Sequence, residues 1–174
     1  MMTFSSGSFL FKSIGTNHLQ LSGYASVFGN LDHQGDIICH GAFAQSVSKH
    51  TSGQFSIKFL WQHDHKKPIG VINTIYEDQK GLFVQAQING SVNAGQEAIE
   101  LIKQKAIDSF SIGFNVSKSN LNQKGERQIT ECQLWEISVV TFPANCQAKM
   151  SGYKSDSIKL ANIITNKAKT IFIL

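Results

Sequence analysis

Two serines, two histidines and one glutamate carry the chemistry this sequence could do. Ser109 and Ser111 lie in Asp108-Ser109-Phe110-Ser111-Ile112-Gly113-Phe114. Side chains alternate along an extended chain, so Ser109, Ser111 and Gly113 share one face and Phe110, Ile112 and Phe114 the other. A small polar face backed by three large apolar anchors would hold a hydroxyl still and uncovered, as a nucleophile requires. It is equally the pattern of a half-buried strand whose serines bond backbone carbonyls. Alternation does not choose between the two serines.

The histidines stand in Leu60-Trp61-Gln62-His63-Asp64-His65. If a strand continues through them, Trp61, His63 and His65 share a face, with Leu60, Gln62 and Asp64 opposite. An imidazole just past an apolar strand end, beside Pro68-Ile69-Gly70, is well placed to be a base. The same stretch reads as a solvated polar turn, and spacing alone slightly favours that. His63 and His65 with Asp36 or His40 would make a zinc site, but no second ligand pair has a fixed spacing. Glu136 sits inside the apolar run Leu134-Trp135-Glu136-Ile137-Ser138-Val139-Val140. An acid there is costly to bury unless paired, and Arg127, a lysine or an imidazole would each serve. With an imidazole, base, nucleophile and orienting acid come in the order His63, Ser111, Glu136. A triad is defined by geometry and not by chain order. The G-x-S-x-G elbow of an α/β-hydrolase is absent.

The elements that must position these groups read mostly as strands. Of 174 residues, 41% are hydrophobic and 16% charged, which suits one ordered domain with a tail. The net charge of +4 comes from scattered lysines, so no specific nucleic-acid partner is expected. Cys39, Cys132 and Cys146 form no CxxC pair and read as free thiols of a reducing compartment. Phe9-Leu10-Phe11 is interrupted by Lys12, and Ile171-Phe172-Ile173-Leu174 is too short to span a bilayer, so neither a secretory signal nor a membrane segment is expected.

In order, the pattern predicts a loose arm over 1–17 and a strand over 18–28 with a bulge position at Gly23. A loop over 29–36 and a brief extended piece over 37–39 follow. A short helix is expected over 41–50 with Phe43 and Val47 on one face, and a strand over 57–62. Segments 69–77 and 82–88 form a hairpin about Asp78-Gln79-Lys80-Gly81. A helix over 93–106 would be capped by Asn93, with Gln96 in the reciprocal position. After the serine strand comes a turn at 122–126 and a long strand from Arg127 to Phe142, ended by Pro143. A Lys-, Ser- and Asn-rich tail closes the chain, with a weak amphipathic stretch over 158–168. Many antiparallel-looking strands with two helices point to a mixed α and β domain on a sheet or small barrel. A doubly wound parallel sheet is not indicated, because βα alternation and a Gly-rich phosphate loop are missing.

Several blocks resemble the prohead (procapsid) maturation proteases of tailed bacteriophages and prophages. They are Gly23-Tyr24-Ala25-Ser26-Val27-Phe28-Gly29, Gly35-Asp36 with Gly41-Ala42-Phe43, Leu60-Trp61-Gln62-His63-Asp64, Pro68-Ile69-Gly70, Gly81-Leu82, Ser111-Ile112-Gly113-Phe114, and the run from Leu134 to Asn145. Each block is weak alone; the full series, in the family's order over about 20–148, is specific. The resemblance implies an α+β, mainly β fold: an antiparallel β-barrel flanked by a few helices, related to the herpesvirus assemblins. It implies a protease domain over 18–148, between the arm and a tail over 149–174 that is a linker removed by self-cleavage or a divergent end.

The resemblance also implies a serine endopeptidase that needs no metal or organic cofactor. Carried over by motif, the catalytic residues are His63, Ser111 and, as third member, Glu136; the assemblins use a second histidine in that place. His65 is the competitor, but lying beside His63 on one strand it would orient poorly. The implied partners are the major capsid protein with its scaffolding segment, the enzyme itself, and a second copy by analogy with the dimeric assemblins. The implied place of action is inside the immature procapsid in the bacterial host cytoplasm. Two departures stand out: Ser109-Phe110 replaces the usual small or Leu pair, and Cys146 replaces a proline. The competing readings are a procapsid or scaffold component with a decayed site, which the three filled positions argue against, and behind it a metal-dependent hydrolase.

Overall fold

The computed structural model describes residues 12–13 and 18–151. In chain order its elements are β1 (Lys12–Ser13), β2 (His18–Val27), β3 (Asp36–Ile38), α1 (Ala44–Thr51), β4 (Lys58–Trp61), β5 (Asp64–Glu77), β6 (Gly81–Asn89), α2 (Asn93–Lys103), β7 (Ser109–Leu121) and β8 (Arg127–Val140). The expected helical stretch over 158–168 lies outside the described residues, as does most of the expected arm. No helix among the described residues is long and apolar enough to cross a membrane.

Period-two burial explains the strands. Leu19, Leu21 and Ala25 of β2 and Val84, Ala86 and Ile88 of β6 alternate into one core with intermediate neighbours. The β5–β6 hairpin turns where expected, because the Asp78 carboxylate accepts the Lys80 and Gly81 amides at 2.8 and 3.0 Å. In β2 the register shift falls between Tyr24 and Ser26, while Gly23, the expected bulge position, keeps its place opposite Val84. The bulge leaves Ala25, Ser26 and Val27 buried in succession.

β8 organises the sheet. The sheet order is β1-β2-β6-β5-β4-β8-β3, with β7 on the other edge of β8. β7 runs antiparallel to β8, but β3 and β4 both pair with it in parallel. The result is a mixed sheet curled into a half-barrel, not the closed antiparallel barrel that the resemblance implied. Its curl brings β2 and β7 to either side of residues 149–150, through isolated bridges at Gly23–Met150 and Ser109–Lys149. The reason is connectivity. Hairpins join β4, β5 and β6, but the chain then leaves through α2 and returns by β7, so β8 points the same way as β4. Strand periodicity carries no information about that direction.

The helices cover the core. Phe43 is fully buried just ahead of α1, and Ser46 stitches that helix to β8 by donating to the Cys132 carbonyl at 3.2 Å and accepting the Leu134 amide at 3.0 Å. In α2, Ala98, Ile99 and Ile102 face inward. Asn93 does not cap this helix: Val92 holds the cap position without a side-chain bond. The nearby turn is closed instead by the Ser91 amide on Asn89 Oδ1 at 2.9 Å.

Candidate active site

His63 owes its position to a strained turn. Trp61 pairs with Asp64, so Gln62 and His63 form a two-residue hairpin turn between β4 and β5. Their φ angles of 54° and 58° have the left-handed sign that such turns demand and that side-chain-bearing residues seldom adopt. Each residue in this region costs on the order of 1–3 kcal/mol and persists only where its surroundings hold it. Here β8 holds it. The Gln62 amide donates to the Val139 carbonyl at 3.0 Å and its side-chain amide exchanges bonds with Thr141 at 2.8 and 3.2 Å. The His63 amide donates to Ser138 Oγ at 3.1 Å. A strand running through Trp61, His63 and His65 is therefore not what forms. The chain reverses at His63, and His65 is left exposed on β5.

The reversal sends the imidazole to Glu136. His63 Nδ1 lies 2.6 Å from Glu136 Oε1, and Ser138 Oγ donates to Glu136 Oε2 at 2.6 Å. The acid is 4% exposed, while the imidazole side chain is 43% exposed. A carboxylate accepts, so Nδ1 donates to it and Nε2 is left as the ring's acceptor. Of the three partners open to Glu136 from sequence, the imidazole is the one present. Arg127 stands at the far end of β8 and grips Asp36 through two bonds of 2.5 and 2.7 Å. That engagement also occupies Asp36, one of the two alternative partners in the least favoured, zinc reading of the histidines. Among the described residues no three His, Cys, Asp or Glu side chains converge as a metal site would require.

The two serines separate clearly. Ser109 is fully buried; its Oγ donates to Asp108 at 2.7 Å and accepts from Lys149 Nζ at 2.9 Å. Lys149 also grips Asp108 at 2.6 Å; burial pushes that carboxyl up, but the bonds from Lys149 and Ser109 outweigh it and hold the group below its ordinary range. Ser111 is 5% exposed and faces Ser138 across the β7–β8 ladder, two positions from Gly113, which faces Glu136. His63 and Glu136 are thus in contact, and Ser111 approaches the same Ser138 from the β7 side. Ser111 Oγ makes no hydrogen bond to the ring among the described residues. Hydrogen bonds of this kind commonly tighten only when substrate is bound.

Ser138 is the residue that the sequence reading missed. It lies two positions beyond Glu136, and strand alternation alone would have put the two on one face. The three cysteines are free, and burial pushes the Cys132 thiol up to about 12, far from reactive.

Gly113 keeps the acid in place. A Cβ there would stand 2.3 Å from Glu136 Oε1. The clash also reaches Glu136 Cγ at 2.9 Å, so the buried carboxylate would be pushed off its partners, losing its contact with His63 and costing stability as well. Gly113→Ala is expected to lower the melting temperature and to cut activity by about 10²-fold, the loss typical of a small misplacement. Parallel thermal melts and peptide-cleavage rates check this; full activity would mean that the Glu136–His63 contact is dispensable.

A profile described as Caudovirus prohead serine protease matches residues 9–162, most of the chain. The chain belongs to that family. Among its relatives, the prohead protease of Enterobacteria phage HK97 is 34% identical over 83% of this chain, and the match covers 64% of that protein. This chain therefore spans just under two thirds of the HK97 relative's length. A capsid polyprotein of Pseudomonas phage PAJU2 is 32% identical over 64% of this chain, which corresponds to 18% of the polyprotein. Among solved structures, the bacteriophage T4 capsid assembly protease aligns with a TM-score of 0.56 at 10% identity, covering 85% of this chain and 92% of that one. At that identity the likeness concerns the fold. Membership of the prohead protease family accounts for the block series.

Proposed function

We propose that this prohead-family chain is a serine endopeptidase, with Ser111 as nucleophile, His63 as general base and Glu136 as the acid that orients the histidine. The observation that carries the reading is the 2.6 Å contact of His63 Nδ1 with buried Glu136, beside the ladder pair Ser138–Ser111. An imidazole fixed at Nδ1 presents Nε2 to a neighbouring hydroxyl, the arrangement that activates a serine. Ser138 supports both partners, bonding the Glu136 carboxylate and the His63 amide.

The substrate we propose is the scaffolding segment of the major capsid protein, cleaved inside the immature procapsid in the host cytoplasm. Family membership and the likeness to the HK97 prohead protease and the PAJU2 capsid polyprotein support this. Self-cleavage, with the tail over 149–174 as the stretch it would shorten, and a homodimer belong to the same reading.

Two measurements test it together. The chain co-expressed with the capsid protein encoded beside it should trim that protein, and a peptidyl phosphonate should label the purified chain on the tryptic peptide that carries Ser111. An untrimmed capsid protein together with an unlabelled chain would sink the peptidase reading and favour a scaffold role.

A further inference from the structure

Ser26 is a buried hydroxyl without a partner. It follows the bulge in β2 with none of its surface exposed, and its Oγ meets no hydrogen-bond partner among the described residues. Such groups are rare in folded proteins because burial removes their water and returns nothing. An alanine would fill the same place without that cost.

Ser26 lines a cavity of about 20 Å³ whose wall also includes Ser111, Ile112 and Asn145. That volume admits a single oxygen-sized group. The cavity lies in the gap between β2 and β7, whose link through residues 149–150 stops at Gly23 and Ser109. The backbone edge is also informative. The Phe110 amide donates to the Ala148 carbonyl at 2.9 Å, away from β8. The β7–β8 register runs unbroken from Ser109 to Gly113, so alternation puts the Ile112 amide on the same outward edge. Asn145 is not an open donor, because its amide already bonds the Val27 carbonyl at 2.9 Å and Asn30 at 3.2 Å.

We infer that the Ser26 hydroxyl, with the Ile112 amide, donates to the oxygen of the scissile carbonyl as Ser111 attacks it. The inference rests on the peptidase reading with Ser111 as nucleophile. Ser111 Oγ forms a bond to the carbonyl carbon while its proton passes to His63 Nε2, and the C=O electron pair moves onto the oxygen. Charge develops on that oxygen, and donors aimed at it stabilise the transition state more than the ground state. Collapse then restores the carbonyl and breaks the C–N bond, and the His63 proton leaves with the amine. Ser26 would thus be a catalytic residue, its unpaired state in the free enzyme being readiness for the substrate oxygen.

The test is Ser26→Ala in the full chain, measured with a peptide spanning a capsid-protein cleavage site. The expected result is a fall in kcat of about 10²–10³-fold with KM little changed, the loss known for one such donor. The melting temperature should hold or rise, since the variant removes an unsatisfied hydroxyl, whereas loss of a structural group would lower it. Affinity for a peptidyl boronate, whose tetrahedral adduct bears the same oxygen, should fall by a similar factor. Ser26→Cys keeps the side chain's size but donates weakly, and should lie between parent and alanine. A kcat within threefold of the parent, or a kcat loss with boronate affinity unchanged, would overturn the assignment of Ser26 while leaving the peptidase reading intact. A parent chain that cleaves nothing would overturn both.

Discussion

Ser111→Ala is expected to leave the capsid protein untrimmed, with peptide cleavage reduced by about 10⁴-fold or more, whereas Ser109→Ala should keep most of the activity. The contrast follows from what each hydroxyl touches. Ser109 Oγ is enclosed by Asp108 and Lys149, and any proton it gave up would be transferred next to a carboxylate that its own donation helps to hold low. It ties the 148–150 segment to the start of β7, so its loss should register as a lower melting temperature. Ser111 faces Ser138, whose hydroxyl supports the His63 amide and the Glu136 carboxylate. Folding should be nearly indifferent to Ser111→Ala, since only a hydroxyl without a hydrogen bond is removed. Cleavage of a peptide substrate and thermal melts on both variants check this. Equal losses of activity, or a greater loss at Ser109, would end the case for Ser111.

Glu136→Gln should lower kcat by about 10⁴-fold, the size seen when the acid of a Ser-His-acid triad becomes an amide. The replacement is close in shape, so Ser138 can still bond the side-chain oxygen. An amide, however, can present N–H to His63 Nδ1, which would shift the ring proton to Nε2 and leave no acceptor facing the serine. The loss should therefore appear in kcat, and it should vanish in the Ser111→Ala background, because members of one catalytic unit are not additive. Peptide kinetics on the two single variants and the double variant decide this. A kcat within tenfold of the parent would show that another group orients His63.

Much of this was written in the chain. Period-two runs marked β2, β6, β7 and β8, because alternate burial is a local property of extended chains. The Asp78–Gly81 turn was legible because one carboxylate closes it. The buried cost of Glu136 was legible too, since an acid within Leu134–Val140 demands a partner whatever the fold. The family blocks named His63, Ser111 and Glu136 together.

Other features depended on contacts between residues far apart in sequence. Alternation treated Ser109 and Ser111 alike; Lys149, from beyond β8, is what distinguishes them. Strand logic ran His63 and His65 along one face, because nothing in Gln62-His63 announces a left-handed turn. That turn is stabilised by Val139, Ser138 and Thr141, which arrive only when β8 docks in parallel beside β4. Asn93 has the chemistry of a helix cap, yet the path of the chain out of β6 sets the cap at Val92. The sequence by itself thus determined the strands, the core and the residue types able to do chemistry, because these follow from local periodicity and burial. Which serine is enclosed by Lys149 and Asp108, which group pairs with the acid, and whether the sheet closes were decided by tertiary structure, since each depends on contacts made by chain segments far apart in sequence.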